Sequence, residues 1–245
     1  VIFASIVLFF ILPLIFITVI DDPKTVNQVK DGIKIDKEEE PLPQEITATD
    51  LISQKVFWMI SLAFAFQFMS MMGVLTFLPV HASKMGLEET WHLLGLPVKQ
   101  YVFAYSLAAF GGVLGKILFG YLIDTMKAAY PSMMAMFLQA IGIFGITYFN
   151  EPNIFLLSAF IFGLGFGAAT PLMTTCYLRT FGAHNLGKVR GIASPIVSPL
   201  QPIGVLVTSI LIGFQDTYFV AFNIMGCLAL VAVILASQIH EPKKI

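Results

Sequence analysis

Lys116 is the residue of this chain whose surroundings most call for chemistry, because it is the one charge in an otherwise uncharged apolar stretch, residues 100–123. Asp124 follows eight residues later, which on a helix places the ammonium about 12 Å deeper than that end. A bilayer core is about 30 Å thick, so this depth is close to its middle. Lysine there costs about 2.5–3.5 kcal/mol on insertion scales, and such residues face a water-filled cavity or a partner. A snorkelling side chain from this depth falls short of either interface. The chemistry on offer is capture of an anion, for example a carboxylate. No acid of the chain is placed deep enough to neutralise Lys116.

Other polar residues join it by spacing. Tyr105 precedes Lys116 by eleven residues, about 20° away on a helical wheel, so it lines the same face or belongs to an interfacial aromatic belt. Ser194, Ser198, Gln201 and Thr208 follow a 4, 3, 7 spacing on one helical face. Gln67 with Ser70, and Thr170 with Thr174, are shorter versions of that pattern. Such a stripe either lines a cavity or hydrogen-bonds a neighbouring helix. Asp124 lies about 80° round from Lys116, near the loop carrying Lys188 and Arg190. It is expected to form a gating ion pair, or to dock on a helix N-terminus. Met69, Met71 and Met72 read as packing. His81 and His92 belong to an outer loop without an HxxxH partner, so neither a metal nor a cofactor is expected.

The elements that must position these residues are membrane helices. Of 245 residues 57% are apolar and 12% charged, with a mean hydropathy of +0.84. Soluble domains carry about 25% charged residues, so the soluble classes are excluded. A net charge of −1 and only two arginines give no phosphate-tracking surface, so nucleic acid is not a partner. Cys176 and Cys227 sit in apolar runs and read as small buried hydrophobes.

A spanning helix needs about 20 apolar residues. Residues 1–20, 56–80, 128–150, 152–178, 191–215 and 217–239 qualify without charge, and 100–123 qualifies with Lys116. The opening span follows no Met or basic region, so it is not read as a signal peptide, and the chain is expected to be a piece of a longer protein. Residues 21–50 hold nine of the fifteen acids and four lysines, which predicts a solvated loop. Lys55, Lys127, Arg179, Lys188, Arg190, Lys243 and Lys244 fall on one side of this topology, whereas Lys84 and Lys99 fall on the other. The basic side is therefore expected to be cytoplasmic, with the C-terminus on it. Pro195, Pro199 and Pro202 in one span, and Gly163, Gly165, Gly167 and Pro171 in another, describe bent helices packed closely in a bundle.

Gly120-Tyr-Leu-Ile-Asp124 followed by Lys127 resembles the Gly-x-x-x-Asp cytoplasmic-loop signature of the major facilitator superfamily, in the degenerate form found between helices 8 and 9. Phe57-Trp58, then Val74-Leu75-Thr76 through His81 to Gly86-Leu87, resemble the two ends of helix 7. Phe181-Gly182-x-x-x-Leu186-Gly187-x-x-Arg190-Gly191 resembles the approach to helix 11. Together with Lys116-x-x-x-Gly120-x-x-x-Asp124 these look like the oxalate/formate antiporter and monocarboxylate transporter branch.

The resemblance implies an all-α membrane protein: a multi-span helical bundle made of the C-terminal six-helix half of a major facilitator fold plus one preceding helix. Residues 1–20 would be the last helix of the N-terminal half, 21–50 the cytoplasmic central loop, 51–239 the six-helix half and 240–245 a cytoplasmic tail. It implies a multi-pass protein of the plasma or inner membrane, with the missing N-terminal half as its structural partner. Its function would be secondary transport of a small organic anion by alternating access. In that branch the position of Lys116 carries an arginine that binds the substrate carboxylate; lysine keeps the charge and loses the bidentate fork. Proton-coupled members have an Asp where this chain has Gly112, so the resemblance does not carry proton coupling onto this helix. A second cation in helix 11, as oxalate-type members have, is replaced by Ser198 and Gln201, which favours a monocarboxylate.

Two other readings remain at the level of sequence. One is a major facilitator transporter of a neutral or other substrate, with Lys116 paired to an acid in the missing half. The other is a seven-span receptor, which the acidic loop and the lysine in the third span disfavour. A membrane enzyme finds no HExxH or GxSxG motif, so no catalysis is expected.

Overall fold

The structure, a computed structural model, describes residues 46–87, 89–93, 96–215 and 217–239. The expected first span, most of the acidic loop and the tail lie outside the described residues. Among the described residues six helical segments are long and apolar enough to cross a membrane. They match six of the seven expected spans.

The chain enters with a short helix, α1 (Ala48–Ser53), whose N-cap Thr47 accepts from the Asp50 amide. The final residues of the expected loop are therefore helical. The first span is α2 (Lys55–Leu75). It stops five residues short of the expected end, and the chain restarts as α3 (Leu78–Lys84), with Pro79 in its first turn. The following segment, read from sequence as an outer loop, carries an antiparallel hairpin, β1 (Thr90–Leu93) and β2 (Leu96–Lys99).

Two long helices follow, α4 (Gln100–Thr125) and α5 (Ala129–Tyr148). The next two spans are each broken. The fifth consists of α6 (Pro152–Gly167) and α7 (Ala169–Phe181), divided at Ala168. The sixth consists of α8 (Leu186–Val197) and α9 (Leu200–Gln215), divided where Pro199 cannot continue the amide ladder. The last span is α10 (Tyr218–Ala236), capped by the Thr217 hydroxyl, which accepts from the Phe219 amide at 3.3 Å. Gly182 closes α7 at φ 81, a backbone conformation open to glycine and strained for residues with a Cβ.

The helices α7, α8, α9 and α10 all pack on α2, while α6 joins α4 and α5. The core is largely aromatic and alanine: Phe57, Phe64, Phe119, Phe155, Phe162 and Phe222 are essentially fully buried, with Ala63, Ala104, Ala108 and Ala159 between them. The approach of α4 to α6 depends on missing side chains. A Cβ at Gly163 would collide with the Ala108 carbonyl, and one at Gly167 with the Gly112 backbone. Large apolar residues such as Ile117, Leu118 and Phe214 point outward, as they do when hydrocarbon replaces water around a helix. Cys176 is buried, whereas Cys227 faces outward; on a membrane helix an apolar side chain need not be inside the protein.

Candidate functional site

The break between α6 and α7 puts Thr170 at the centre of two neighbouring cavities. One, of about 320 Å³, is lined by Lys116 and Tyr105 from α4, Phe68 and Met71 from α2, Gly112, and Thr170. The other, of about 350 Å³, is lined by Arg190 and Ser194 from α8, Ser198, Gln201 from α9, Tyr177 from α7, and again Phe68, Met71 and Thr170. The two cavities adjoin at these three shared residues and lie side by side along one groove. Lys116 and Arg190 are exposed along it, and among the described residues neither cavity has an acidic lining residue. The groove therefore offers two cations, hydroxyls and one amide to whatever enters it.

The stripe on α8 and α9 divides. Ser194 and Ser198 line the groove with their hydroxyls 3.2 Å apart, and Gln201 joins them. Thr208, one element of the same expected face, is fully buried where α9 crosses Gly73 of α2. Gln201 and Thr208 lie seven residues apart on α9 and share its face, so the wheel holds in angle and fails along the axis: the face that lines the groove at Gln201 packs on α2 two turns later.

Gln67 and Ser70 do not reach the groove. Both are fully buried. Gln67 Nε2 donates to the Gly165 carbonyl at 3.3 Å, and Ser70 Oγ donates to the Gln67 carbonyl at 3.0 Å. Gln139 of α5 donates to both the Gln67 carbonyl at 3.0 Å and Ser70 Oγ at 2.6 Å. Here the stripe hydrogen-bonds its neighbours. Thr174 is turned away as well, its hydroxyl donating to the Thr170 carbonyl at 3.0 Å within its own helix.

The expected gate is also rearranged. Asp124 is exposed at the end of α4, but Lys188 Nζ donates to the Ile46 carbonyl at 3.1 Å and Arg190 lines the groove. The residue that reaches the end of α4 is Arg179 of α7, which donates to the carbonyls of Met126, at 2.7 Å, and Ile123. A guanidinium there satisfies orphan carbonyls and meets the negative end of the helix dipole. Charge asymmetry alone assigns Arg179 to one side of the topology and gives it no contact. Its position in the last turn of a helix, typical of C-terminal cations, was the available signal.

Comparison with known proteins fits this architecture. The Major Facilitator Superfamily profile matches residues 1–204. No curated protein matches the chain. Fifteen chains of solved structures do. One of them, reported as the crystal structure of an auto-inhibited POT family peptide transporter, superposes with a TM-score of 0.61 at 17% identity, over 78% of this chain and 40% of that one. At that identity the likeness is one of fold. The present chain spans about 40% of that transporter's length.

Proposed function

Because the chain belongs to the major facilitator superfamily, we propose that it is part of a secondary transporter that carries a small organic anion, of the monocarboxylate kind, by alternating access. The observation that carries this reading is the groove whose lining, among the described residues, has two cations and no acid. Lys116 is the carboxylate anchor, well inside the membrane span. Tyr105 and Thr170 line the same cavity with hydroxyls, and Ser194, Ser198 and Gln201 continue the polar lining towards Arg190. In this low-dielectric setting a charge-assisted contact is roughly twice as strong as a neutral one.

The groove is open along one side of the described bundle, with Lys116, Tyr105, Thr170 and Ser194 exposed. That side is proposed to face a second six-helix half across the substrate path, the two halves related as parallel repeats about an axis along the membrane normal. The excess of Lys and Arg at one end of the spans supports a cytoplasmic C-terminus, and the reading takes a plasma or inner membrane as host.

The test is counterflow of labelled lactate, pyruvate, formate and oxalate by the full-length protein in proteoliposomes, for wild type, Lys116→Ala and Lys116→Arg. Exchange of one acid, abolished by alanine and kept by arginine, supports the reading. Equal transport by Lys116→Ala makes the lysine structural, and no movement of any acid ends the organic-anion proposal.

A further inference from the structure

At the opposite end of the bundle from Asp124, His81 is 7% exposed, although α3 lies beyond the spanning segment Lys55–Leu75. It belongs to a helix, not to the loop expected from sequence. Its ring is enclosed by Phe155, Tyr218 and Phe222, with centroid separations of 5.8, 4.9 and 5.1 Å. Nε2 lies 3.2 Å from the Ile146 carbonyl, which requires that nitrogen to carry the proton and donate. Nδ1 is buried with no hydrogen-bond partner among the described residues.

This slot accepts one protonation state. In the neutral ring Nδ1 is an orphan acceptor; in the imidazolium it becomes a second N–H with no acceptor, and the added charge is buried among apolar rings. Lys84, one turn further along α3, holds its Nζ 5.2 Å from the Tyr218 ring centroid and opposes a second cation. Burial lowers the His81 pKa from its ordinary value, the Ile146 carbonyl offsets part of this, and Lys84 adds to the lowering. The other titratable groups at this end of the surrounding elements are Lys99 and Tyr101 at the head of α4, Glu89, whose carboxylate accepts from Gln100 Nε2 at 3.3 Å, Tyr148 on α5, Glu151 before α6, and Tyr218 itself. Glu89 and Glu151, the carboxylates among these described residues, are both exposed.

The mechanical setting is a joint. Helix α3 is separated from α2 by Thr76 and Phe77, and His81 is its contact with α5, α6 and α10 at once. We propose that His81 is a proton-binding site whose occupation releases α3 from the aromatic slot and swings it about the Thr76–Phe77 joint. The ring leaves because water supplies the second acceptor that the slot lacks. The packed state binds fewer protons than the released one, so its advantage is full above the released-state pKa. It is lost as pH falls through that value towards the lower packed-state pKa. The proposal stands independently of the anion reading, since no residue of the groove takes part in it.

Hydrogen–deuterium exchange of the α3 amides, in the full-length protein in lipid nanodiscs, tests it. Rates at pH 7.5 and 5.5 are corrected for intrinsic chemistry and referred to the amides of α10. With a released-state pKa near 6.5, wild-type α3 opens up to about tenfold more at the lower pH. His81→Phe, which keeps a ring in the slot, and His81→Gln, which keeps a donor for Ile146, are expected to show no such rise. The proposal is overturned if wild-type α3 tracks α10 at both pH values, or if the rise survives either substitution. Should both variants misfold, the wild-type comparison between α3 and α10 decides it alone.

Discussion

The Tyr177 hydroxyl donates to Ser61 Oγ across 2.8 Å, and Ser61 itself sets the direction, because its single proton goes to the Phe57 carbonyl at 2.7 Å. The pair ties α7 to α2 beside the groove, with the Tyr177 ring stacked on Phe57. The two deletions are therefore unequal. Ser61→Ala strands a buried phenol and is expected to cost about 1–3 kcal/mol, whereas Tyr177→Phe leaves Ser61 bonded to Phe57 and costs about 0.5–1.5 kcal/mol. Thermal unfolding of both variants in one detergent checks the order; a costlier Tyr177→Phe contradicts the assigned direction.

The seam between α4 and α6 yields a second pair. Gly163→Ala drives a methyl into the Ala108 carbonyl and is expected to destabilise by about 1–3 kcal/mol through overpacking. Gly120→Ala, on the same helix as Lys116, meets open space; there the lower entropy of the unfolded chain predicts a gain of about 0.4–1 kcal/mol. Unfolding midpoints of the two variants, measured side by side, should move in opposite directions.

Helix content was legible because the spans are long and nearly charge-free; six of the expected ones recur among the described residues with ends moved by a few residues. What spacing did not carry was the position of the breaks. Leu75, Ala168 and Pro199 each end a helix inside an apolar run; Pro199 and the Gly/Pro-rich 163–171 stretch announced bending, but Thr76 offered no such sign. The site was legible where one wheel applies, as for Lys116 and Tyr105 on α4. It was not legible where two choices are chemically equal. Gln67 and Ser70 read the same whether they face a cavity or a neighbour, and only the Gln139 side chain, 69 residues beyond Ser70, decides it. His81 was hidden for a related reason: its slot is assembled from three segments distant in sequence.

Arg179 and Asp124 occupy the same end of the bundle with different duties. Arg179→Gln removes two charge-assisted bonds to the carbonyls of α4 and is expected to cost about 1.5–3 kcal/mol, discounted towards the lower figure because the group is part-exposed. Arg179→Lys recovers only part, since a point charge does not span two carbonyls as a guanidinium does. Asp124→Asn, at an exposed carboxylate, should leave stability within about 0.5 kcal/mol. Unfolding of the three variants separates them, and a large loss in Asp124→Asn would restore the ion-pair gate.

Arg190 and Lys188 are two residues apart, yet α8 sends them to different places. Lys188 is held by the Ile46 carbonyl, while Arg190 lines the groove beside Ser194. If the groove passes an anion, Arg190→Gln weakens its capture by one charge-assisted contact, about 1.5–3 kcal/mol, a rise in KM of roughly tenfold to a hundredfold and more. Arg190→Lys keeps the charge and should fall between wild type and glutamine. Lys188→Gln, which removes a bond to the entering chain and nothing from the groove, should leave KM within about twofold of wild type by the same conversion. Counterflow of the acid that the full-length protein exchanges, at two ionic strengths, reads all three. A screened cation would lose its effect at high salt, whereas an Arg190 that binds within the groove keeps most of it.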